Sequence, residues 1–111
     1  MQFTLEASDV ALEDLQSTID AALIKLASDD SNDIRKELGP DAVAALSRPE
    51  AFEASRGKEG FGAVELVLIA AAGRLLASVP ERLVVRIFDE YVWPRLQSRF
   101  GSAISRAKDQ Q

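Results

Sequence analysis

Leucine and isoleucine recur at every third or fourth position between residues 9 and 27, and this spacing predicts an amphipathic helix. An α-helix has 3.6 residues per turn, so these side chains fall on one face. The acidic start of the segment suits the positive end of a helix dipole. We expect the helix to pack through this apolar stripe. The stripe comprises Leu12, Leu15, Ile19, Leu23 and Leu26.

Residues 2–7 alternate between apolar and polar side chains, a period of two that favours a short strand. A strand needs a partner to satisfy its backbone, and the only other stretch of β-type composition is residues 83–88. The pattern therefore predicts a short N-terminal strand whose pairing stays open.

The middle of the chain predicts a connector of short helices. One helix covers about residues 32–38 and ends at Gly39, and Pro40 opens the next, which runs through Leu46. Ser47 and Glu50 then have the spacing of a capping box, which favours a further helical turn through Phe52.

Residues 57–62 contain three glycines in six positions and predict a flexible hinge. The hinge separates an N-terminal part, residues 1–56, from an apolar part that begins at residue 63. Each part is too short to stand alone, so we expect residues 1–111 to form one domain.

Residues 63–79 are almost wholly apolar and predict a helix without a polar face. Its two charges, Glu65 and Arg74, are nine residues apart, which places them on opposite sides of a helix. A helix that is apolar all round must be covered by its own fold, by a partner or by lipid.

A last long helix is expected over residues 81–100, opened by Pro80 and kinked or broken near Pro94. Residues 101–111 are small and polar and should fray. With residues 63–79, this helix would form an apolar helical hairpin.

The predicted fold class is therefore mainly α: a small helical bundle with an apolar C-terminal helical hairpin and the short N-terminal strand as an uncertain addition. A chain of 111 residues buries only about two-thirds of its surface on folding. We expect the hairpin to be covered by a protein partner or by a second copy in a symmetric dimer. The interface candidates are Glu65, Leu68, Arg74, Phe88, Tyr91 and Trp93.

The composition argues against most catalytic chemistry. The chain has no cysteine and no histidine, which removes thiolate nucleophiles, the commonest neutral general base and the commonest metal ligand. Asp29, Ser31 and Asp33 have calcium-loop spacing, but Ile34 stands where the loop needs glycine. The glycines of residues 57–62 lack the order of a phosphate-binding loop. We expect no catalytic residue, no cofactor, no metal and no small-molecule ligand; an enzyme using carboxylates is the third hypothesis.

Charge disfavours nucleic acid as a partner. The chain has 13 basic and 18 acidic residues, a net charge of −5, whereas nucleic-acid binding depends on neutralising phosphates. Residues 1–33 carry a net charge of −7, which we interpret as a solvated face, with docking of a basic partner as the alternative. The arginines of the last helix fall into two pairs on opposite sides. They are Arg82, Arg86, Arg95 and Arg99.

The N-terminal residues lack the basic and apolar regions of a secretory signal, so we expect a cytoplasmic protein. Residues 60–79 are about long enough to span a bilayer, and a membrane-docked or membrane-active component is the alternative function. Glu65 and Arg74 offset most of the insertion energy of the neighbouring leucines.

Gly62-Ala63-Val64-Glu65, the apolar run that follows to Gly73, and a second helix with Trp93 resemble small effector-associated components of bacterial conflict systems. The resemblance covers about residues 60–96. Such proteins tend to begin with a strand and a helix, as residues 2–27 would here, but residues 28–60 are longer than the pattern. The resemblance implies a non-enzymatic coupling subunit. We therefore expect a non-catalytic interaction or adaptor module that self-associates through residues 63–100.

Overall fold

The computed structural model describes residues 1–59 and 64–107, and over these residues it shows an α/β fold, so the predicted mainly α bundle is wrong. The strands are β1 (Gln2–Ser8), β2 (Phe52–Glu59), β3 (Val64–Ala71) and β4 (Ile104–Arg106). The helices are α1 (Leu12–Ser28), α2 (Asp33–Lys36), α3 (Pro40–Leu46), α4 (Gly73–Ser78), α5 (Glu81–Arg86) and α6 (Trp93–Phe100). A π-helical segment, Ile87–Val92, joins α5 to α6.

The four strands form one antiparallel sheet in the order β2-β3-β1-β4. With helices between β1 and β2 and between β3 and β4, the connectivity is βαββαβ, the split-βαβ or ferredoxin-like arrangement. The predicted N-terminal strand is confirmed, and it lies at the centre of the sheet, opposite β3 in the register Gln2↔Ala70 to Ser8↔Val64. Residues 83–88, the partner considered from sequence, are helical instead.

The predicted helix over residues 63–79 is wrong, because residues 64–71 form β3 and only Gly73–Ser78 are helical. An inner strand with apolar side chains on both faces has an uninterrupted apolar run, which periodicity cannot distinguish from a buried helix. The apolar helical hairpin therefore does not exist. Glu65 and Arg74, expected on opposite sides of one helix, lie on a strand and on α4.

The helices pack on one face of the sheet, and three phenylalanines join the two layers. Phe3 of β1 stacks on Phe88 of the π-helical segment with ring centroids 4.1 Å apart. Phe52 of β2 meets both rings edge-on at 6.1 Å. The predicted helix at residues 9–27 is confirmed as α1, and its stripe is buried from Leu15 onward.

The connector between α1 and β2 differs from its prediction in two places. Gly39 does not end a helix in a left-handed conformation; it precedes α3 with φ −81°, and Pro40 is the first helical residue, as predicted. The helical turn expected from Ser47 to Phe52 is wrong. Glu50 takes φ 59° there, and its N–H donates to Asp20 Oδ1 at 3.1 Å, so the chain turns into β2.

Of the kink or break predicted near Pro94, the break is absent: residues 81–100 are helical throughout, but the helix is irregular just before Pro94. Pro94 has no N–H to donate, and the turn before it is π-helical: the Trp93 N–H bonds to the Phe88 carbonyl, five residues back. The predicted frayed tail is wrong for residues 101–107. Residues 104–106 form β4, and the Ala107 N–H bonds to the Thr4 carbonyl at 3.1 Å. Residues 108–111 of the predicted tail and residues 60–62 of the predicted hinge lie outside the described residues.

Candidate functional site

One face of the sheet has no helical layer over it among the described residues. Alternate residues of each strand point to the helices and are buried. The other face, here called the open face, carries half-buried or exposed side chains at its described positions. They are Gln2, Thr4, Glu6 and Ser8 of β1, Glu53, Ser55 and Gly57 of β2, Leu66, Leu68 and Ala70 of β3, and Ser105 of β4.

The centre of the open face is apolar. Leu66 and Leu68 lie on β3, and both are half-buried. A Cβ atom at Gly57 would lie 3.3 Å from Leu66 Cβ and 3.4 Å from Leu68 Cγ, so the absence of a side chain at this position lets the leucines lie across β2. Ala70 continues the row with a methyl group. The result is a low apolar ridge between two polar strands.

The charges of the open face lie on either side of this ridge. Glu6 on β1 and Glu53 on β2 are both exposed, and Glu6 lies directly opposite Leu66 in the strand register. Among the described side chains, no arginine lies on this face. The open face therefore combines an apolar centre with acidic flanks.

A second unusual feature is the outer edge of β2, the edge that faces away from β3. Gln16 of α1 bonds to the backbone of β2 through both ends of its amide. Its Nε2 donates to the Phe52 carbonyl at 2.8 Å, and its Oε1 accepts from the Ala54 N–H, also at 2.8 Å. Asp20 Oδ1 accepts a further bond from Gln16 Nε2 at 3.0 Å, which fixes the orientation of the amide.

A cleft of about 540 Å³ lies between the first turn of α1 and the outer edge of β2. Glu13 and Glu50 are its acidic lining residues. Its arginine, Arg56, forms an ion pair with Glu65 of β3. The cleft charges that form no ion pair among the described residues, Glu13 and Glu50, are therefore both acidic. Its lining residues are Ala11, Leu12, Glu13, Gln16, Glu50, Ala54 and Arg56.

The structure does not bring the six predicted interface residues together. Phe88 is fully buried and Tyr91 nearly so, and Trp93 packs against the same core, with its ring centroid 6.5 Å from that of Phe88. Leu68 lies on the open face, and Arg74 is exposed on α4. Glu65 is bound to Arg56 near the cleft.

Tyr91 is a core residue with a polar end that has no hydrogen-bond partner among the described residues. The Arg95 guanidinium lies 3.7 Å from the centroid of its ring. Burial raises the pKa of the Tyr91 hydroxyl, and the nearby positive charge of Arg95 opposes this increase only in part. Tyr91 therefore contributes to the core through the packing of its ring.

Arg106 of β4 lies against the aromatic cluster of the core. Its guanidinium carbon is 5.0 Å from the Phe88 ring centroid and 5.6 Å from the Trp93 centroid, and Nη1 contacts Asp89 Oδ1 at 2.9 Å. A cation over an aromatic face is attracted by the ring quadrupole. These contacts attach the short strand β4 to the helical layer.

Of the two predicted pairs of arginines on the last helix, Arg82 and Arg86 share a partner, whereas Arg95 and Arg99 have different ones. Arg82 and Arg86 both bind Glu37, which follows α2, and Arg86 also binds Glu90. Hydrogen bonds from these two guanidinium groups lower the pKa of the Glu37 carboxyl. Arg99 donates to the Thr18 hydroxyl of α1 at 2.9 Å. Arg82, Arg86 and Arg99 therefore join the last helix to other helical parts of the chain, whereas Arg95 donates to the Tyr91 carbonyl within the same helix.

Within residues 1–59 and 64–107, the acidic side chains form no cluster of three that could hold a metal ion. No helix in that part of the chain has both the length and the apolar character needed to cross a bilayer. Comparisons with protein-family models, curated proteins and solved structures found no match. A function is therefore inferred from the shape and charge of the described surfaces.

Sequence reasoning missed Leu66 and Gln16. The alternation of Phe52 and Ala54 with Glu53 and Ser55 was a signal for β2, but the apparent capping box before it favoured a helical turn. No local signal indicates that Gln16 bonds to a strand, because its partners are 36 and 38 residues away in the chain.

Proposed function

We propose that the protein is a non-catalytic protein–protein interaction module and that it self-associates through the open face of its sheet. The observation that carries the proposal is the apolar ridge of Leu66, Leu68 and Ala70, which lies outside the helical layer on an inner strand. The proposed dimer interface therefore lies on the sheet surface of β3 and not on the helical hairpin expected from the sequence.

A second copy fits the open face for reasons of shape. Two sheets pack face to face about 10 Å apart when their side chains are small enough to interdigitate. Thr4, Ser55 and Gly57 are small neighbours of the two leucines, and Glu6, opposite Leu66, is the one long side chain among the described cross-strand neighbours. A two-fold axis needs only one self-complementary patch, and such dimers are the commonest soluble oligomers.

The size of the face predicts a weak dimer. Four strands about 4.8 Å apart make the face roughly 15 Å wide, and about seven residues at about 3.3 Å each make it roughly 23 Å long. Such a contact is smaller than the interfaces of most stable complexes, so the association would be weak and transient. Glu53 lies on the edge strand β2, whereas Glu6 lies beside Leu66 on the inner strand β1, and the repulsion between these carboxylates of two copies would be screened by salt. We therefore expect micromolar self-association that strengthens with ionic strength.

The biological role in this proposal is that of an adaptor or coupling subunit without chemistry of its own. This is the role that the resemblance to effector-associated components implies. Histidine and cysteine are absent from the sequence, and the described carboxylates are dispersed, paired or solvated.

Sedimentation velocity over a range from about 5 to about 500 µM tests the proposal, since weak interfaces dissociate within this range. Wild-type protein should shift from monomer to dimer as its concentration rises. Leu68→Glu should remain monomeric because it buries a charge at the centre of the interface. Leu68→Thr introduces a β-branched residue that favours the strand but removes apolar surface, so it should weaken the dimer at least several-fold.

Ile24→Glu is the matched control. Ile24 is 50% exposed on α1, away from the sheet, so the same type of substitution should leave the dimer intact. A wild-type protein that stays monomeric throughout the range would contradict the proposal. So would a dimer that survives in a folded Leu68→Glu protein, as judged by circular dichroism.

A further inference from the structure

We propose that the outer edge of β2 binds an extended segment of a partner protein, carrying lysine or arginine, as an additional strand. This site is separate from the open face and does not depend on self-association. It would give the module a second surface, for a partner of a different kind.

The first observation is that a side chain already occupies the place of a neighbouring strand. An incoming strand offers the edge one N–H and one C=O group, and Gln16 offers the same pair through its amide. Its Nε2 bonds to the Phe52 carbonyl and its Oε1 to the Ala54 N–H, both at 2.8 Å. The backbone of β2 is therefore hydrogen-bonded on both sides at this point.

The second observation is that this protection ends at Ala54. In an antiparallel strand, the N–H and C=O groups of every second residue point away from the paired strand. In β2, these residues are Phe52, Ala54 and Arg56, whose backbone groups point away from β3. The Ala54 carbonyl and the Arg56 N–H thus face outward. No side chain of the described residues bonds to either group. An edge with unpaired backbone groups is a template for strand addition.

The third observation is the cleft beside these groups. Its volume of about 540 Å³ lies within the range of about 300–1,000 Å³ typical of ligand sites. The first turn of α1 forms its far wall, so a strand beside Ala54 and Arg56 would contact Leu12 and Glu13. The site therefore offers backbone hydrogen bonds on one side and side-chain contacts on the other.

The acidic charge of the cleft favours a partner with basic side chains. Glu13 and Glu50 line the cleft, and Arg56 is engaged by Glu65, so the free charges there are acidic. Pairing of two β2 edges would bring two such acidic clefts together, which disfavours a second copy as the occupant. A segment that projects basic side chains on one side satisfies both the edge and the cleft.

A fluorescent peptide of about nine residues that alternates valine with lysine is the probe, since strands of this length match β2. We expect fluorescence anisotropy to detect its binding to the 111-residue protein, and salt to weaken that binding. A peptide that alternates valine with glutamate should bind at least about tenfold more weakly, because like charges would meet in the cleft.

Backbone and side-chain effects are separated by two substitutions at one position. Arg56→Pro removes the outward N–H and should weaken peptide binding at least about fivefold, and proline is tolerated on an edge strand. Arg56→Met also removes the ion pair with Glu65 but keeps the N–H, so it should retain binding. In wild-type protein, the peptide should slow hydrogen exchange at the Arg56 amide.

Gln16→Ala removes the side chain that stands in for a strand. Two further backbone groups, the Phe52 carbonyl and the Ala54 N–H, then become available to the peptide. We expect binding at least as tight as in wild type, and Ser17→Ala, an exposed neighbour on the same helix, should bind as wild type does.

Three results would overturn the proposal. One is that neither wild-type protein nor Gln16→Ala binds the lysine peptide. Another is that folded Arg56→Pro binds it as Arg56→Met does. The third is that Gln16→Ala dimerises through β2 in place of binding peptide, which would make a second copy the occupant. Leu68→Glu leaves this edge unchanged, so loss of self-association and loss of peptide binding are independent outcomes.

Discussion

On the helix-covered face of the sheet, Val67 and Ile69 of β3 are 2% and 0% exposed, whereas Leu66 and Leu68 on the opposite face are half-buried. Adjacent residues of similar hydrophobicity thus have different environments. The difference teaches that an apolar run on an inner strand can contain two surfaces, one for the protein's own core and one left uncovered. Stability should depend on the first surface, and association on the second.

The largest expected effect is on the covered side. Phe88 is fully buried and stacks on Phe3 at 4.1 Å, so Phe88→Ala should leave a cavity where the two layers meet. We expect a loss of about 3–5 kcal/mol in the free energy of unfolding, measured by urea denaturation. A loss below about 1 kcal/mol would show that the covering layer contributes little to the fold.

A pair of neighbouring substitutions compares the two faces directly. Ile69→Ala should lower the free energy of unfolding by about 2–5 kcal/mol, because Ile69 is completely buried. Leu68→Ala should lower it by less than about 1.5 kcal/mol in dilute, monomeric protein, because the side chain is half-exposed. Equal losses at the two positions would contradict the assignment of the faces.

A smaller effect is expected where β4 meets the helical layer. Arg106→Met should remove the ion pair with Asp89 and the contact over Phe88, for a loss of about 1 kcal/mol. Trp93 is the only tryptophan in the chain and lies 5.6 Å from Arg106, so its fluorescence should change as well. Arg99→Met, at an exposed cation–ring contact, should change stability less and serves as the control.

The smallest effect is expected at Glu37, an exposed residue that follows α2 and binds arginines of α5. Its pKa is lower in the folded protein than in the unfolded chain because Arg82 and Arg86 donate to the carboxylate. The carboxylate therefore stabilises the fold at neutral pH, and this contribution is lost as the pH falls through the folded pKa. The stability difference between wild type and Glu37→Gln should shrink between about pH 6 and pH 3, by chemical denaturation.

Glu81→Gln is the control for this measurement, since Glu81 is exposed at the start of α5 and forms no ion pair among the described residues. A difference between wild type and Glu37→Gln that is constant over the whole range would mean that the ion pairs with Arg82 and Arg86 contribute nothing to stability.

Sequence patterns predicted the elements that have one apolar side. The stripe of α1 and the alternation of β1 each leave a polar face to water, so each pattern has a clear period. Residues 64–71 have apolar side chains on both faces, and their period is hidden. Residues 104–106 are too few to show any period, and their pairing with β1 is set by residues almost a full chain length away.

The candidate site was predicted only in part. Leu68 was singled out as an interface residue, and it lies on the open face, although the helix expected to present it does not exist. Phe88, Tyr91 and Trp93 were expected at an interface but belong to the core or pack against it, since aromatic side chains at helical spacing fit both roles. The edge of β2 depends on contacts between distant residues, which local patterns cannot indicate.

The position of β1 between β3 and β4 has a consequence for biosynthesis. Leu5 lies opposite Arg106, so one side of β1 cannot pair with β4 until residues translated about a hundred codons later are available. Until that residue leaves the ribosome, the nascent chain presents an unpaired strand to other polypeptides. Long-range pairing of this kind slows folding and prolongs exposure. Protection of the nascent chain from aggregation should therefore matter most until residue 106 has left the ribosome.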